Sequence, residues 1–271
     1  MKDVLTPNQM ADLAAIGEIC AELGADLVLI GAMSLLVSMG DIGRFTRDVD
    51  LTVALDLDEF ARLTDRLTAA GWTRTPRLEH RWIAPHQTMV DLLPAGPKLR
   101  SAVSIQWPIS EFAMNLTGFG HVFTNAVDVP LANRSHIRVT PPIVTVLLKI
   151  IAYTADPYRR AKDLDDIRLV PGRYESESDR LFSDAVFDAE LPDFSVANAF
   201  LLDLDLRGLA TNEDATYIER FLAHLLSRDE EEFGPDDFAA RILHIQLRAF
   251  ERGFEGHSAS RPCDDDTQCS S

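Results

Sequence analysis

Asp48 and Asp50 stand two residues apart in Gly43-Arg44-Phe45-Thr46-Arg47-Asp48-Val49-Asp50-Leu51-Thr52-Val53, where the chain turns apolar and β-favouring. On a strand, positions i and i+2 face the same side, so both carboxylates project together. Anions held that close repel each other unless a cation sits between them. Hard oxygen ligands so paired suit Mg²⁺ or Mn²⁺, above all where a phosphate substrate shares the metal. The plain alternative is a strand end with one Asp in a turn and the other exposed, because Asp-x-Asp by itself is a common string.

Other residues point toward the same chemistry. Gly31 follows the apolar run Leu27–Ile30 and precedes a helical pattern from Ala32 to Met39. A glycine at a strand-to-helix turn allows close backbone approach, and the helix N-terminus offers unpaired N–H groups that suit phosphate. Consecutive strands are commonly neighbours, which brings this turn and the aspartates to one pocket. Thr46-Arg47, just before the pair, is placed to orient a carboxylate or contact phosphate, with a plain surface charge as the alternative for Arg47. Asp91 lies inside Thr88-Met89-Val90-Asp91-Leu92-Leu93-Pro94, an apolar strand in which a lone carboxylate is costly. It reads as a third metal ligand, as the acceptor of a proton from an attacking hydroxyl, or as an edge-facing Asp. Lys149 is the one cation of the apolar helix Ile143–Ala152; it either snorkels to water or meets an anion such as a triphosphate. In Arg159-Arg160-Ala161-Lys162-Asp163-Leu164-Asp165-Asp166 the i,i+4 pairs form a solvated charge ladder, or Asp163 orients Lys149 or a metal-site residue. The seven histidines show no metal spacing, and neither a Walker A string nor Gly-x-Gly-x-x-Gly occurs.

These residues need elements to position them. Thr6-Pro7 caps a helix that Gly24 closes. A strand at 27–30, a helix from Ala32 to Met39, a loop over 40–47, a strand from Val49 to Leu55 and a helix from Asp58 to Ala70 follow. Extended segments are predicted near Trp72, from His80 to Ile83 and from Thr88 to Leu93; the stretch 95–133 is weakly patterned, with short strands at 105–107, 119–123 and 127–129. Ile137–Val139 is a further strand, Thr140-Pro141-Pro142 opens the helix bearing Lys149, and another helix runs from Tyr158 to Leu169. Beyond Pro171-Gly172 the pattern is helical, with its best segments at 197–202, 214–226 and 238–250. The fold class is therefore α/β (α+β) followed by a helical part, divided as 1–135, 136–255 and a disordered acidic tail at 256–271.

Composition fits this reading. With 271 residues, 46% hydrophobic and 25% charged, the chain can bury a substantial core. The net charge of −17 lies mostly beyond residue 170, whereas the first part is nearly neutral. An acidic surface repels phosphate backbones, so RNA contact requires a local basic patch, for which Arg74, Arg77, Arg81, Arg134 and Arg138 are the material. Cys20 reads as a small buried hydrophobe, and Cys263 and Cys269 lie in the tail; three cysteines make no disulfide framework, which points to the cytoplasm. Neither a signal pattern nor a bilayer-length apolar run is visible.

Together the motifs resemble the nucleotidyltransferase superfamily whose best-known member is DNA polymerase beta, and more closely the AbiEii-type nucleotidyltransferases, the toxins of toxin–antitoxin pairs. The resemblance rests on Leu29-Ile30-Gly31-Ala32, Arg44-Phe45-Thr46-Arg47-Asp48-Val49-Asp50-Leu51, Val90-Asp91-Leu92, Pro142 with Lys149, and Lys162-Asp163-Leu164-Asp165-Asp166-Ile167, within residues 27–170. It implies a mixed sheet with flanking helices and an NTP bound through Mg²⁺ ions (or Mn²⁺) on Asp48, Asp50 and Asp91. Asp91 would also take the acceptor's proton, Lys149 would grip the phosphates, and Asp163 would support the site. NMP would pass to a hydroxyl of RNA, such as a tRNA end, or of a protein, with a cognate antitoxin as partner. A small-molecule transferase of the aminoglycoside type and a catalytically silent nucleotide- or partner-binding domain are the alternatives. The superfamily commonly has Ser after the glycine; here Ala32 stands there, leaving the backbone N–H groups of Gly31 and Ala32, with Ser34 as a substitute hydroxyl.

Overall fold

The computed structural model describes residues 4–40, 46, 48–76, 78–131, 135–227 and 245–251. Two compact units are present, the first formed by residues 1–170 with 211–221 and the second by 171–210 with the chain from 222 onward.

The first unit is built on a seven-stranded mixed sheet. Its central strands are β1 (Leu27–Ile30) and β2 (Val49–Val53), paired antiparallel. Val28, Leu29 and Ile30 are all buried, as are Leu51, Thr52 and Val53. Successive strand residues face opposite sides, so burial of consecutive residues means that helices cover both faces of the sheet centre. Outward from β2 run β5 (Met89–Pro94, parallel to β2), β4 (Arg81–Ile83) and β3 (Thr73–Arg74), the last two antiparallel. Outward from β1 run β9 (His136–Val139, parallel) and β8 (Val127–Pro130). The expected boundary near residue 135 thus falls inside this unit: β9 is paired to β1, and the compact unit runs on to Val170.

Local signals explain the helices. In α1 (Pro7–Glu22) the Thr6 hydroxyl accepts from the Gln9 N–H at 3.2 Å while the Gln9 side chain accepts from the Thr6 N–H at 2.9 Å. This reciprocal cap satisfies two donors that no helical carbonyl can reach. Met10, Leu13, Ile16 and Cys20 form the buried stripe of α1, and burial pushes the Cys20 thiol up to about 12, so it behaves as the small hydrophobe expected. Helix α2 (Gly31–Met39) starts directly at the end of β1, and α3 (Leu57–Ala69) packs with α1.

The segment 95–133 holds α4 (Pro97–Ser101), a two-stranded sheet of β6 (Ser104–Gln106) and β7 (Ala113–Asn115), and α5 (Phe119–Asn125). The strand predicted at 119–123 is a helix instead. Phe119 and Val122, three apart, are its buried residues, and Gly118 opens it at φ +81°. Alternation of Phe119, His121 and Phe123 imitated a strand, but packing followed the helical spacing. Helix α6 (Pro142–Ala155) carries Lys149, and α7 (Ala161–Leu169), three residues shorter at its start than expected, packs on α6.

The second unit has α8 (Asp184–Asp188) and α9 (Ala197–Leu209), with Leu181, Val186, Ala197, Phe200 and Leu201 as its core. Asp205 there accepts from Tyr174 and, bidentately, from Arg180. Helix α10 (Asn212–Leu225) begins in the first unit. Of the helix predicted at 238–250, residues 245–250 are helical and the rest lie outside the described residues, as does the tail with Cys263 and Cys269. None of the described helices is long and apolar enough to cross a membrane.

Candidate active site

Strand register assembles the site. Asp50 on β2 stands opposite Ile30 on β1 and opposite Asp91 on β5, and Asp91 stands opposite Arg81 on β4. Residues in register on adjacent strands share a face, so Asp50, Asp91 and Arg81 form one lateral row. Gly31 lies next to the end of that row, at the first position of α2, with φ +72°. A β-carbon at Gly31 would meet Asp50 Oδ2 at 2.3 Å and its Cγ at 3.0 Å. Glycine is needed there for two reasons, the left-handed backbone and the carboxylate against its α-carbon. The first N–H groups of α2 have no intrahelical acceptor, so the turn joins a negative carboxylate to an anion-accepting helix end.

A model of the nucleotidyl transferase AbiEii toxin family, of type IV toxin–antitoxin systems, matches residues 15–255, most of the chain. The chain belongs to the AbiEii nucleotidyltransferase toxin family. It is accordingly a nucleotidyltransferase. No curated protein matches the sequence. Among solved structures, the antibiotic-resistance factor ANT(2'')-Ia shares 15% identity over 61% of this chain and 83% of its own, at a TM-score of 0.39. An antigenic nucleotidyltransferase-like protein from Paracoccidioides brasiliensis shares 16% over 70% of this chain and 91% of its own, at 0.40. The cyclic dinucleotide synthase CdnE of Elizabethkingia meningoseptica shares 11% over 90% and 89%, at 0.27.

Within this AbiEii-family chain, charge around the row is tightly balanced. Burial, then the Asp91 charge and that of Asp48, push the Asp50 carboxyl up to about 7, against the opposing pull of Lys149 and Arg160. Among the described residues, Arg81 supplies a cation that touches the cluster. Its Nε donates to Asp91 Oδ1 at 2.7 Å and its Nη2 to Asp91 Oδ2 at 2.6 Å; Nη2 also lies 3.7 Å from Asp48 Oδ2. The hydrogen bonds to Asp91 hold the guanidinium above its ordinary pKa. His80 beside it is pushed down, by burial first, while Asp91 partly opposes this.

Asp48, Asp50 and Asp91, expected as metal ligands, do come to one place. As a donor set they suit a hard divalent cation: three carboxylates whose crowding already disfavours the ionised form of Asp50. Among the described residues, however, no three such groups stand in metal-holding geometry, and Arg81 engages both Asp91 oxygens. Sequence reasoning had placed Arg81 only in a basic patch. Its three described members do not gather: Arg74 and Arg81 lie on β3 and β4, whereas Arg138 lies on β9, four strands from β4, or roughly 20 Å at the usual strand spacing. Arg138 instead pairs with Asp26 at 3.1 Å, and Arg77 and Arg134 lie outside the described residues.

Lys149 does not snorkel. Its ammonium is buried and contacts Asp163 Oδ1 at 2.9 Å and Asp166 Oδ2 at 2.6 Å. Burial works to lower its pKa, but the two aspartates outweigh this and hold it above the ordinary lysine value. Of the two partners expected for Asp163, Lys149 and a metal-site residue, the contact observed is with Lys149. Asp166, read as a surface partner of Lys162, is buried and contributes the shorter of the two contacts. The readable signal was the i,i+3 spacing of the two aspartates, which puts both on one face of α7.

Ser34 corrects an expectation. It is fully buried, donates to the Gly31 carbonyl at 2.7 Å and bonds the Thr145 hydroxyl at 2.9 Å, which joins Thr140 at 3.1 Å. Facing inward, it ties α2 to α6 and is not a substitute phosphate ligand. Ala32 is buried and brings only its backbone N–H to the turn. Arg47, Arg44 and Phe45 lie outside the described residues. A cavity of about 390 Å³ lined by Arg74, Thr75, Pro76, Glu79, Ile109 and Ser110 includes none of the expected site residues.

Proposed function

We propose that this nucleotidyltransferase moves a nucleoside monophosphate from an NTP to a hydroxyl of RNA, such as a tRNA end, or of a protein, as the toxin of a toxin–antitoxin pair. The observation that carries the reading is the register of Asp50 with Asp91 beside the Gly31 turn, in a chain of this family. Asp48, Asp50 and Asp91 would hold a divalent cation, Mg²⁺ or Mn²⁺, whose charge stabilises the phosphoryl oxygens during transfer. The backbone N–H groups of Gly31 and Ala32 would donate to phosphate oxygens at the positive end of α2. Lys149, held in place by Asp163 and Asp166, contributes positive potential to the carboxylates and keeps a third N–H for a phosphate oxygen. The acceptor oxygen attacks the α-phosphorus, the bond to the β-phosphate oxygen breaks, pyrophosphate leaves, and the acceptor's proton passes to Asp91. A cognate antitoxin is the partner that such a family implies.

The test incubates the protein with each α-labelled NTP and Mg²⁺, and in turn with total RNA, cell protein and an aminoglycoside. Label on RNA or protein, abolished by Asp48→Ala, is the expected result. Label on the aminoglycoside alone would replace the macromolecular acceptor by a small one. Transfer that Asp48→Ala leaves unchanged would remove the carboxylates from the chemistry.

A further inference from the structure

Three carboxylates at the end of one sheet need positive charge whether or not a metal ion is bound, and the structure shows where the polypeptide finds it. Arg81 closes a two-point fork on Asp91, at 2.7 and 2.6 Å, and extends the same Nη2 to within 3.7 Å of Asp48. Both Asp91 oxygens accept from the guanidinium, so a cation approaching Asp91 meets a carboxylate already paired with a positive charge. The backbone around Arg81 is fixed independently of this fork. Its N–H donates to the Leu78 carbonyl at 3.0 Å, its own carbonyl accepts from the Thr75 N–H at 2.8 Å, and the His80 carbonyl accepts from the Leu92 N–H at 2.7 Å. The guanidinium can therefore leave Asp91 without unzipping β4. The side chains of Arg81 and Asp48 are 27% and 47% exposed, which gives the displaced group a path toward water.

We infer that Arg81 is the resident counter-cation of the carboxylate cluster, so that a divalent cation gains Asp91 by displacing the guanidinium. This rests on the metal reading proposed above. Arg81 is then a positioning residue: it holds Asp91 in place for the ion and sets the ion's affinity. A fork of fixed, delocalised charge matches a carboxylate better than an ammonium does, so lysine at this position would compete less well, and an uncharged side chain would not compete.

The test is a Mn²⁺ titration of the full chain without nucleotide, read by the electron paramagnetic resonance of free Mn²⁺. Arg81→Gln should bind Mn²⁺ at least about tenfold tighter than wild type, with Arg81→Lys between them, because a bidentate charged partner has been removed from a ligand. In an Asp91→Asn background, where the fork is lost and only the longer contact with Asp48 remains, Arg81→Gln should tighten Mn²⁺ binding by clearly less than it does in the wild-type background. Equal or weaker binding by Arg81→Gln, with binding still lost in Asp50→Asn, overturns this inference and leaves the metal reading intact. Absence of Mn²⁺ binding in every variant overturns both. Should Arg81→Gln fail to fold, Arg81→Lys carries the same comparison, with tighter binding supporting the inference and unchanged binding refuting it.

Discussion

Replacing Lys149 by Met is the sharpest test of the buried charge cluster it forms with Asp163 and Asp166. The ammonium lies 2.9 Å from Asp163 and 2.6 Å from Asp166, and the three side chains are 10%, 13% and 1% exposed. Methionine matches the stem in length but leaves two buried carboxylates with their shared cation gone. Breaking a buried ion pair from one side costs about 3–5 kcal/mol, because the remaining charge is uncompensated. Set against a typical stability of about 5–15 kcal/mol, this is a large part of the fold's margin. It corresponds to a fall in melting temperature of roughly 10 °C in a chain of this size. The pH dependence follows from the raised pKa of Lys149. A lysine whose folded pKa exceeds its unfolded value, about 10.4, stabilises fully below that value and loses its contribution as pH rises through the folded pKa. The gap between wild type and Lys149→Met should therefore be constant across neutral pH and close only in strong alkali. Guanidinium denaturation at several pH values measures it. The triple variant Lys149→Met, Asp163→Asn, Asp166→Asn should recover much of the loss, since no buried charge remains. A loss below about 1 kcal/mol, the range of exposed pairs, would refute the reasoning, as would a triple variant no more stable than the single one.

Gly31→Ala should abolish transfer and destabilise by about 1–2 kcal/mol from the left-handed backbone alone, with a further cost from moving Asp50; steady-state transfer assays and denaturation read the two effects separately. Ser34→Ala should cost about 1 kcal/mol in stability and leave KM for NTP unchanged, because the hydroxyl bonds Gly31 and Thr145 inside the fold; a rise in KM would return Ser34 to the phosphate site. Asp50 has a folded pKa of about 7, above its unfolded value, so without metal its contribution is lost as pH rises from about 4 toward 7. Asp50→Asn should flatten that decline in a pH series of metal-free unfolding curves while eliminating transfer, and an unchanged slope would show that Asp50 is well solvated.

Local spacing sufficed for the parts of the site that are themselves local. Asp48 and Asp50, two residues apart, both bring their charge to Arg81, although β2 begins only at Val49, and Gly31 marks its turn because only glycine tolerates both the backbone and the nearby carboxylate. The apolar run around Lys149 left two outcomes, snorkelling to water or an anionic partner, with Asp163 a candidate for the second, and the contact with Asp163 decides between them. What remained illegible depends on which strand meets which, and in what register. Arg81 opposes Asp91 only because β4 pairs antiparallel with β5 at that offset, and a slip of one residue would have sent it to the other face. Ser34 and Thr145, 111 residues apart, meet because α2 packs on α6, which turned an apparent phosphate ligand into an internal tie. The same packing decided Phe119–Asn125, where alternation favoured a strand and burial of Phe119 with Val122 favoured a helix. The sequence by itself determined which residues had chemistry to offer, since ionisation, glycine's freedom and strand periodicity are properties of residues and their neighbours. Only the tertiary structure decided the partners, because the charges that face Asp91 and Lys149 come from other elements, brought there by sheet register and helix packing.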